Sequence, residues 1–234
     1  MKIFIVHAHP EPQSFNGALT RHARQTLEGA GHQVQVSDLY AMKFDPVSDR
    51  RNFTTVKDSA YYKQQIEELH ASESGGFAPD IRAELEKLDW CDALVFQFPL
   101  WWFSVPAILK GWVDRVFAMG RIYGGGKWYD NGAFKGKRAL LSLTTGGPES
   151  IYSEAGLNGN IHDILFPINH GILRFTGFDV LPPFVVWAPV RASDEQRRDY
   201  LEAYRRRLLT MWDTEPIQYP SLADYDDKFV LKKR

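Results

Sequence analysis

"FQFPLWWFSVPAILKGWVDRVF", residues 96–117, gathers Phe96, Phe98, Trp101, Trp102 and Phe103 into eight residues, with Pro99 and Pro106 flanking the tryptophans, and runs straight into a helical pattern. The run before it, "DALVFQFPL" (92–100), is nearly all apolar and reads as a buried strand. The run after it, "PAILKGWVDRVFAMG" (106–120), repeats apolar residues at helical spacing, with proline where a helix start tolerates a missing N–H. A buried strand accounts for the phenylalanines but not for two tryptophans where the chain leaves the sheet. In an extended stretch Trp101 and Trp102 point to opposite sides, so one is expected to face the core and the other a crevice. Simple packing of both stands as the alternative, whereas flat aromatic walls suit a planar ligand.

Working outward, the same alternation recurs. "KIFIVHAH" (2–9) is a strand ended by "PEPQ"; Phe15, Leu19, Ala23, Leu27 and Ala30 then mark a helix closed by Gly31. "HQVQVSDLY" (32–40) is a second strand. A polar segment from Phe44 to about Pro79 contains a helical "AYYKQQIEELHAS", and Ile81, Leu85 and Leu88 mark another helix. Beyond the central strand and helix, "GKRALLSLTTGG" holds a fourth strand, "NIHDILFPINHGILRFTG" a helix broken near Pro167, "FDVLPPFVVWAP" a fifth strand, and "SDEQRRDYLEAYRRRLLTMWD" an amphipathic closing helix. Continuous apolar strands alternating with helices predict an α/β fold, a doubly wound parallel sheet covered on both faces.

Composition narrows the function. The 28 Lys and Arg nearly balance the 29 Asp and Glu, so no basic field recommends nucleic acid, and "YRRRLL" (204–209) reads as the solvated face of the last helix. Cys91 alone excludes an internal disulfide and a cysteine zinc cluster. The apolar run Ile3 to Val6 is too short for a signal peptide, and no stretch has the length of a bilayer span, so a cytoplasmic protein without membrane insertion is expected.

Ligands of doubly wound folds sit at the carboxyl ends of the strands. Three turns qualify: "HAHPEPQSFNG", "FPLWWFS" and "TTGGPESIY". The first brings Ser14, Phe15 and Asn16 to a helix N-terminus that suits a phosphate, although Ser14 also reads as an ordinary cap. The last offers Thr144, Thr145 and two glycines, Gly146 and Gly147, which admit a planar ligand close to the backbone or form a plain turn.

"AHPEPQSFNG", "FQFPLWWFSVPAILKGWVDRVF" and "LSLTTGGPESIYSEAGLNG", in that order, resemble the NAD(P)H:quinone oxidoreductase family of the DT-diaphorase type. The resemblance implies a flavodoxin-like five-stranded sheet of order 2-1-3-4-5, an FAD-binding domain over residues 1–220 with a tail at 221–234, and a homodimer with shared active sites. FMN is the less favoured flavin. Carried over by position, His9, Ser14, Phe15 and Asn16 hold the FAD phosphates. Pro99, Leu100, Trp101, Trp102 and Phe103 meet the flavin ring, and Trp102 and Phe103 also shape the pocket where nicotinamide and quinone alternate. Thr144, Thr145, Gly146 and Gly147 flank the ring's other edge, and Arg197 contacts the adenine end. Tyr123 and Phe175 match aromatics lent by the partner subunit, with Gly125 in a glycine run where the family often has another aromatic.

The resemblance assigns Tyr152 as a donor toward charge developing on the flavin as hydride arrives. Asn158 stands where the best-known mammalian member has a histidine; an amide hydrogen-bonds but does not shuttle a proton, so electrostatic support is its expected role. His7 and His9, two apart on a strand, suggest a metal face but lack a third ligand. His170 matches one ligand of a structural metal in a sister branch, but Arg174 and a missing cysteine replace the others, so no metal is expected. "RIYGGGKWYDNG" resembles ancillary flavoproteins of bacterial potassium-efflux transporters, which supplies the rival expectation of a docking, regulatory role.

Overall fold

The computed structural model describes residues 1–232. Five parallel sheet positions follow one another in the order β2-β1-β3-β4-β5, built from β1 (Lys2–His7), β2 (Gln33–Asp38), β3 (Ala93–Pro99), β4 (Arg138–Thr144) and β5 (Asp179–Val180). A short sixth strand, β6 (Phe184–Val186), also pairs with β4. The fifth position expected from the sequence is therefore filled in two pieces, β5 against the start of β4 and β6 against its end. Pro182 and Pro183 separate them, because proline has no N–H for the ladder.

Among the described residues six α-helices cover the sheet: α1 (Phe15–Gly29), α2 (Gln64–Ser74), α3 (Pro79–Trp90), α4 (Ala107–Val116), α5 (Ile161–Ile168) and α6 (Asp194–Leu209). Strand residues alternate between faces. Ile3, Ile5, Val95 and Leu140 meet Leu19, Ala23 and Leu27 of α1 and Tyr204 and Leu208 of α6. Phe4, Val6, Leu94, Phe96, Phe98 and Leu141 meet α3, α4 and α5, with Trp112 of α4 fully buried at the centre. Its ring lies 5.7 Å from Phe96 at 87°. Burial on both sides explains why β1, β3 and β4 are nearly continuous apolar runs, and the more exposed β2 is the edge.

Caps fix the helix ends. Ser14 caps α1, and Ser193 with Gln196 forms a reciprocal capping box on α6. The expected break at Pro167 is instead a change of winding: α5 carries Pro167 inside it and passes directly into a π-helical turn, Asn169–Arg174. Among the described residues no helix is long and apolar enough to cross a membrane.

Candidate active site

Above the apolar rows, the last layer of the sheet on the α1/α6 side is polar. His7, Gln97 and Ser142 lie side by side in register across β1, β3 and β4, all buried. Gln97 Nε2 donates to Asn16 Oδ1 at 2.8 Å, and Asn16 Nδ2 donates to Thr144 Oγ1 at 2.9 Å. His7 Nδ1 lies 2.8 Å from Thr20 Oγ1 on α1. Buried polar groups need partners, so this layer pins the first turns of α1 to the ends of β3 and β4.

The three turns that leave β1, β3 and β4 converge above it. Ser14 Oγ accepts the Gly17 N–H at 3.1 Å, which confirms the capping reading and leaves the hydroxyl proton available to donate. The first-turn amides of Phe15 and Asn16 have no partner one turn back. Phe15 packs edge-on to Tyr200 of α6. His9 Nδ1 accepts the Glu11 N–H at 3.0 Å, and its ring stands 6.1 Å from Trp101, joining the first turn to the second.

The turn after β3 overturns the expected division of the tryptophans. Trp101 and Ser104 exchange both backbone hydrogen bonds, 3.1 and 3.0 Å, and Trp102 and Phe103 between them take φ of 50° and 59°. That is a two-residue turn with both central residues left-handed, a geometry normally given to Asn or Gly. Neither tryptophan enters the core: Trp101 and Phe103 are exposed and Trp102 is 94 % exposed. The chain is not extended here, so alternation of sides does not apply. Strain of this kind persists at sites where side-chain placement matters more than stability.

After β4, Gly146 has open space where a Cβ would stand, whereas a Cβ on Gly147 would lie 2.3 Å from Ile151 Cδ1. Gly146 thus leaves room for a ligand and Gly147 serves packing. Thr144 is occupied by Asn16, and Thr145 Oγ1 donates to the Gly147 carbonyl at 2.8 Å. The turn ends in a short 3-10 helix, Glu149–Tyr152, which sets the Tyr152 ring 5.6 Å from Trp187 at 32°. Among the described residues Tyr152 Oη has no hydrogen-bond partner. Asn158 N–H donates to the Ile151 carbonyl at 2.8 Å, bringing Asn158 beside the backbone that carries Tyr152. A cleft of about 590 Å³ continues from Pro148 and Trp187 along α6 past Gln196 and Tyr200. Arg197 sits in the first turn of α6, where Pro189 O and Asp194 Oδ1 hold its guanidinium at 3.0 and 2.7 Å.

This arrangement has close relatives. The model of the flavodoxin-like fold family matches residues 1–208. Human ribosyldihydronicotinamide dehydrogenase [quinone] is 44% identical over 217 residues, 92% of this chain and 94% of that protein. Rat NAD(P)H dehydrogenase [quinone] 1 is 44% identical over 237 residues, 99% of this chain and 86% of that protein. A crystal structure from Klebsiella pneumoniae, provisionally assigned as a quinone reductase, superposes with a TM-score of 0.96 at 44% identity, covering 99% of this chain and 94% of that one. The chain belongs to the NAD(P)H:quinone oxidoreductase family.

The residues present fit the flavin that this family uses. The turn after β3 carries exposed aromatic side chains, the turn after β4 leaves open space at Gly146, and a helix N-terminus with free amides lies at the same end of the sheet. The remaining positions carried from the family form a separate cluster. Tyr123 packs 6.2 Å from Phe175, and Phe175 stands 5.4 Å from Tyr129. Gly125 lies in a run, Gly124 to Gly126, with φ of 97°, 61° and 86°. Among the described residues no hydrogen bond or ring contact joins this cluster to the crevice.

His7 and His9 take different hydrogen-bond partners, Thr20 and the Glu11 amide. His170 stacks on Phe166 at 4.7 Å, and no group of three or more potential metal ligands occurs among the described residues. Three further residues matter here. Gln97 was signalled by a lone polar residue inside an apolar strand. Trp187 follows β6 with only its aromatic character to mark it. Gly17 is required because a Cβ would stand 2.2 Å from the Pro12 carbonyl, and Arg21 Nη1 donates to that same oxygen at 2.6 Å.

Proposed function

We propose that the chain is an FAD-dependent enzyme that carries hydride from NAD(P)H to a quinone by a two-step, ping-pong exchange in one slot, as a homodimer. The observation that supports it best is that the turns after β1, β3 and β4 leave the same end of adjacent parallel strands, with Trp101, Trp102 and Phe103 exposed in one turn and Tyr152 closing another. Relatives of similar length named as quinone dehydrogenases favour the enzyme over a docking, regulatory role. The bound flavin would supply the redox chemistry, accepting hydride from nicotinamide and passing it to the acceptor.

In this reading the protein binds, orients and stabilises. The α1 amides with Ser14 and His9 receive the pyrophosphate, while Asn16, turned inward, holds the helix in place. Pro99 to Phe103 and Thr144 to Gly147 flank the ring, and Trp102 and Phe103 form the slot that excludes water. Tyr152 Oη, free of protein partners, donates to negative charge as it develops, with Asn158 supporting it. The cleft of about 590 Å³ along α6, past Gln196 and Tyr200, has room for an adenine half, which favours FAD over FMN, with Arg197 in the adjoining first turn of the helix. Tyr123, Gly125 and Phe175 close the slot of the partner subunit, consistent with their separation from the crevice of their own chain. Residues 1–220 then form the flavin-binding domain.

Steady-state assays with NADH, NADPH and ribosyldihydronicotinamide against a soluble quinone test the reading and assign the donor. Parallel double-reciprocal lines are expected. Intersecting lines contradict the shared slot, and absence of turnover by flavin-loaded protein contradicts the activity.

A further inference from the structure

Glu68 of α2 is a buried carboxyl without a cation. It is 2 % exposed, and among the described residues no ion pair reaches it, whereas its neighbour Glu67 has Arg50 3.5 Å away. Its bonds are polar and specific. Oε2 accepts the Met119 N–H at 2.7 Å and the Tyr123 O–H at 3.3 Å, and Oε1 accepts from Gln64 Nε2 at 2.8 Å. A carboxylate kept from water with no counter-charge is costly even when hydrogen-bonded, so its presence points to a role other than stability. Burial correspondingly holds its pKa above the ordinary glutamate value.

The segment that Glu68 holds is anchored in the core by Ile122 and at the surface by the Arg121–Asp89 ion pair, while its tip is glycine. Met119 to Gly126 follows α4 and contains Gly120, Gly124, Gly125 and Gly126, all left-handed. A Cβ on Gly125 or Gly126 would meet nothing within 4 Å. One turn of α2 grips the base of this segment twice: Ser72 Oγ donates to the Met119 carbonyl at 2.8 Å, and Glu68 takes the Met119 amide. Tyr123 Oη also receives Gln65 Nε2 at 3.4 Å. Its ring and that of Phe175 then border a cavity of about 220 Å³ with Gln64, Glu68 and Phe117.

We infer that Glu68 is a positioning residue for acceptor binding, fixing the Tyr123 phenol and the glycine-rich segment 119–126 at the mouth of the slot. The inference rests on the proposed quinone reductase reading. It assigns a specificity role to α2, in the polar segment between Phe44 and Pro79.

The test uses flavin-loaded full-length protein. Glu68→Met keeps the length of the side chain and removes its acceptors, Glu68→Gln keeps an acceptor, and Tyr123→Phe removes only the hydroxyl. One positioned hydrogen bond corresponds to about a fivefold effect. Glu68→Met and Tyr123→Phe are each expected to raise the KM for quinone roughly fivefold with kcat within about twofold, and the double variant to be no worse than either single. Glu68→Gln should restore KM to within about twofold of the parent. Hydrogen exchange of residues 119–126 should speed up in Glu68→Met. Unchanged KM in Tyr123→Phe, which should fold normally, overturns the inference; so do multiplicative effects in the double variant. If the parent protein shows no quinone turnover, the catalytic reading falls and the slot role with it, while the exchange experiment still reads whether Glu68 anchors the segment.

Discussion

The amide of Gln97 donates to the side-chain carbonyl of Asn16 at 2.8 Å, across a buried layer that joins β3 to the first turn of α1. Asn16 passes the bond on to Thr144, so the turns after β1, β3 and β4 share one set of hydrogen bonds beneath the crevice. Among the described residues Gln97 Oε1 has no partner, so the glutamine is less fully satisfied than the asparagine. Asn16→Ala strands both Gln97 Nε2 and the Thr144 hydroxyl, and it should cost ~1–3 kcal/mol in urea unfolding. Gln97→Leu should cost less, because it also removes an unsatisfied oxygen. Equal or reversed costs would show that this layer does not hold the turns together.

Trp102 stands almost wholly in solvent with a backbone that favours glycine. Trp102→Gly removes little packing and relieves strain of order 1 kcal/mol, partly offset by the freedom glycine gains in the unfolded chain. Its midpoint of unfolding should therefore stay level or rise, while binding of nicotinamide or quinone weakens. A large loss of stability would return this residue to a packing role.

Tyr152→Phe keeps the ring against Trp187 and removes the free hydroxyl. Flavin should remain bound, with its reduction by NAD(P)H slowed by roughly tenfold or more in stopped flow, the scale of losing one donor to developing charge. Unchanged reduction would remove Tyr152 from the chemistry.

Burial, the largest influence, lowers the pKa of His7 from its ordinary 6.5, with His9 and Arg21 pushing the same way and Asp38 opposing. The unfolded chain therefore takes up this proton at a higher pH than the folded one. The stability contribution is complete above about pH 6.5 and is lost as pH falls through the lower folded value. His32 and His170 shift in the same direction, so the comparison is with a His7→Gln variant. The parent's melting temperature should fall more steeply below pH 6.5 than that of the variant; parallel curves would show that His7 does not titrate with folding.

The parallel sheet and both helical layers were legible because β1, β3 and β4 must be apolar on both faces, and the intervening helices show their buried stripe in the spacing of residues such as Leu19, Ala23 and Leu27; the order of the strands came from the family resemblance alone. The site was legible as a set of turns but not as a geometry. Nothing in "PLWWFS" signals two left-handed aromatics, because turn preferences point to glycine or asparagine, and the strain is supported only by the surrounding fold. The stretch around Pro182 and Pro183 read as one fifth strand, whereas the ladder stops at the two prolines and resumes after them. The inward turn of Asn16 depends on Gln97, 81 residues away in sequence. Local pattern carries no trace of such a pairing.

The most direct measurement is identification of the cofactor released from purified full-length protein, after reconstitution if needed. The account predicts a yellow protein that yields FAD, about one per chain, with Trp102→Gly weakening substrate binding rather than removing the colour. A chain that stays colourless after incubation with FAD and with FMN would contradict it, since the three converging turns would then enclose no flavin.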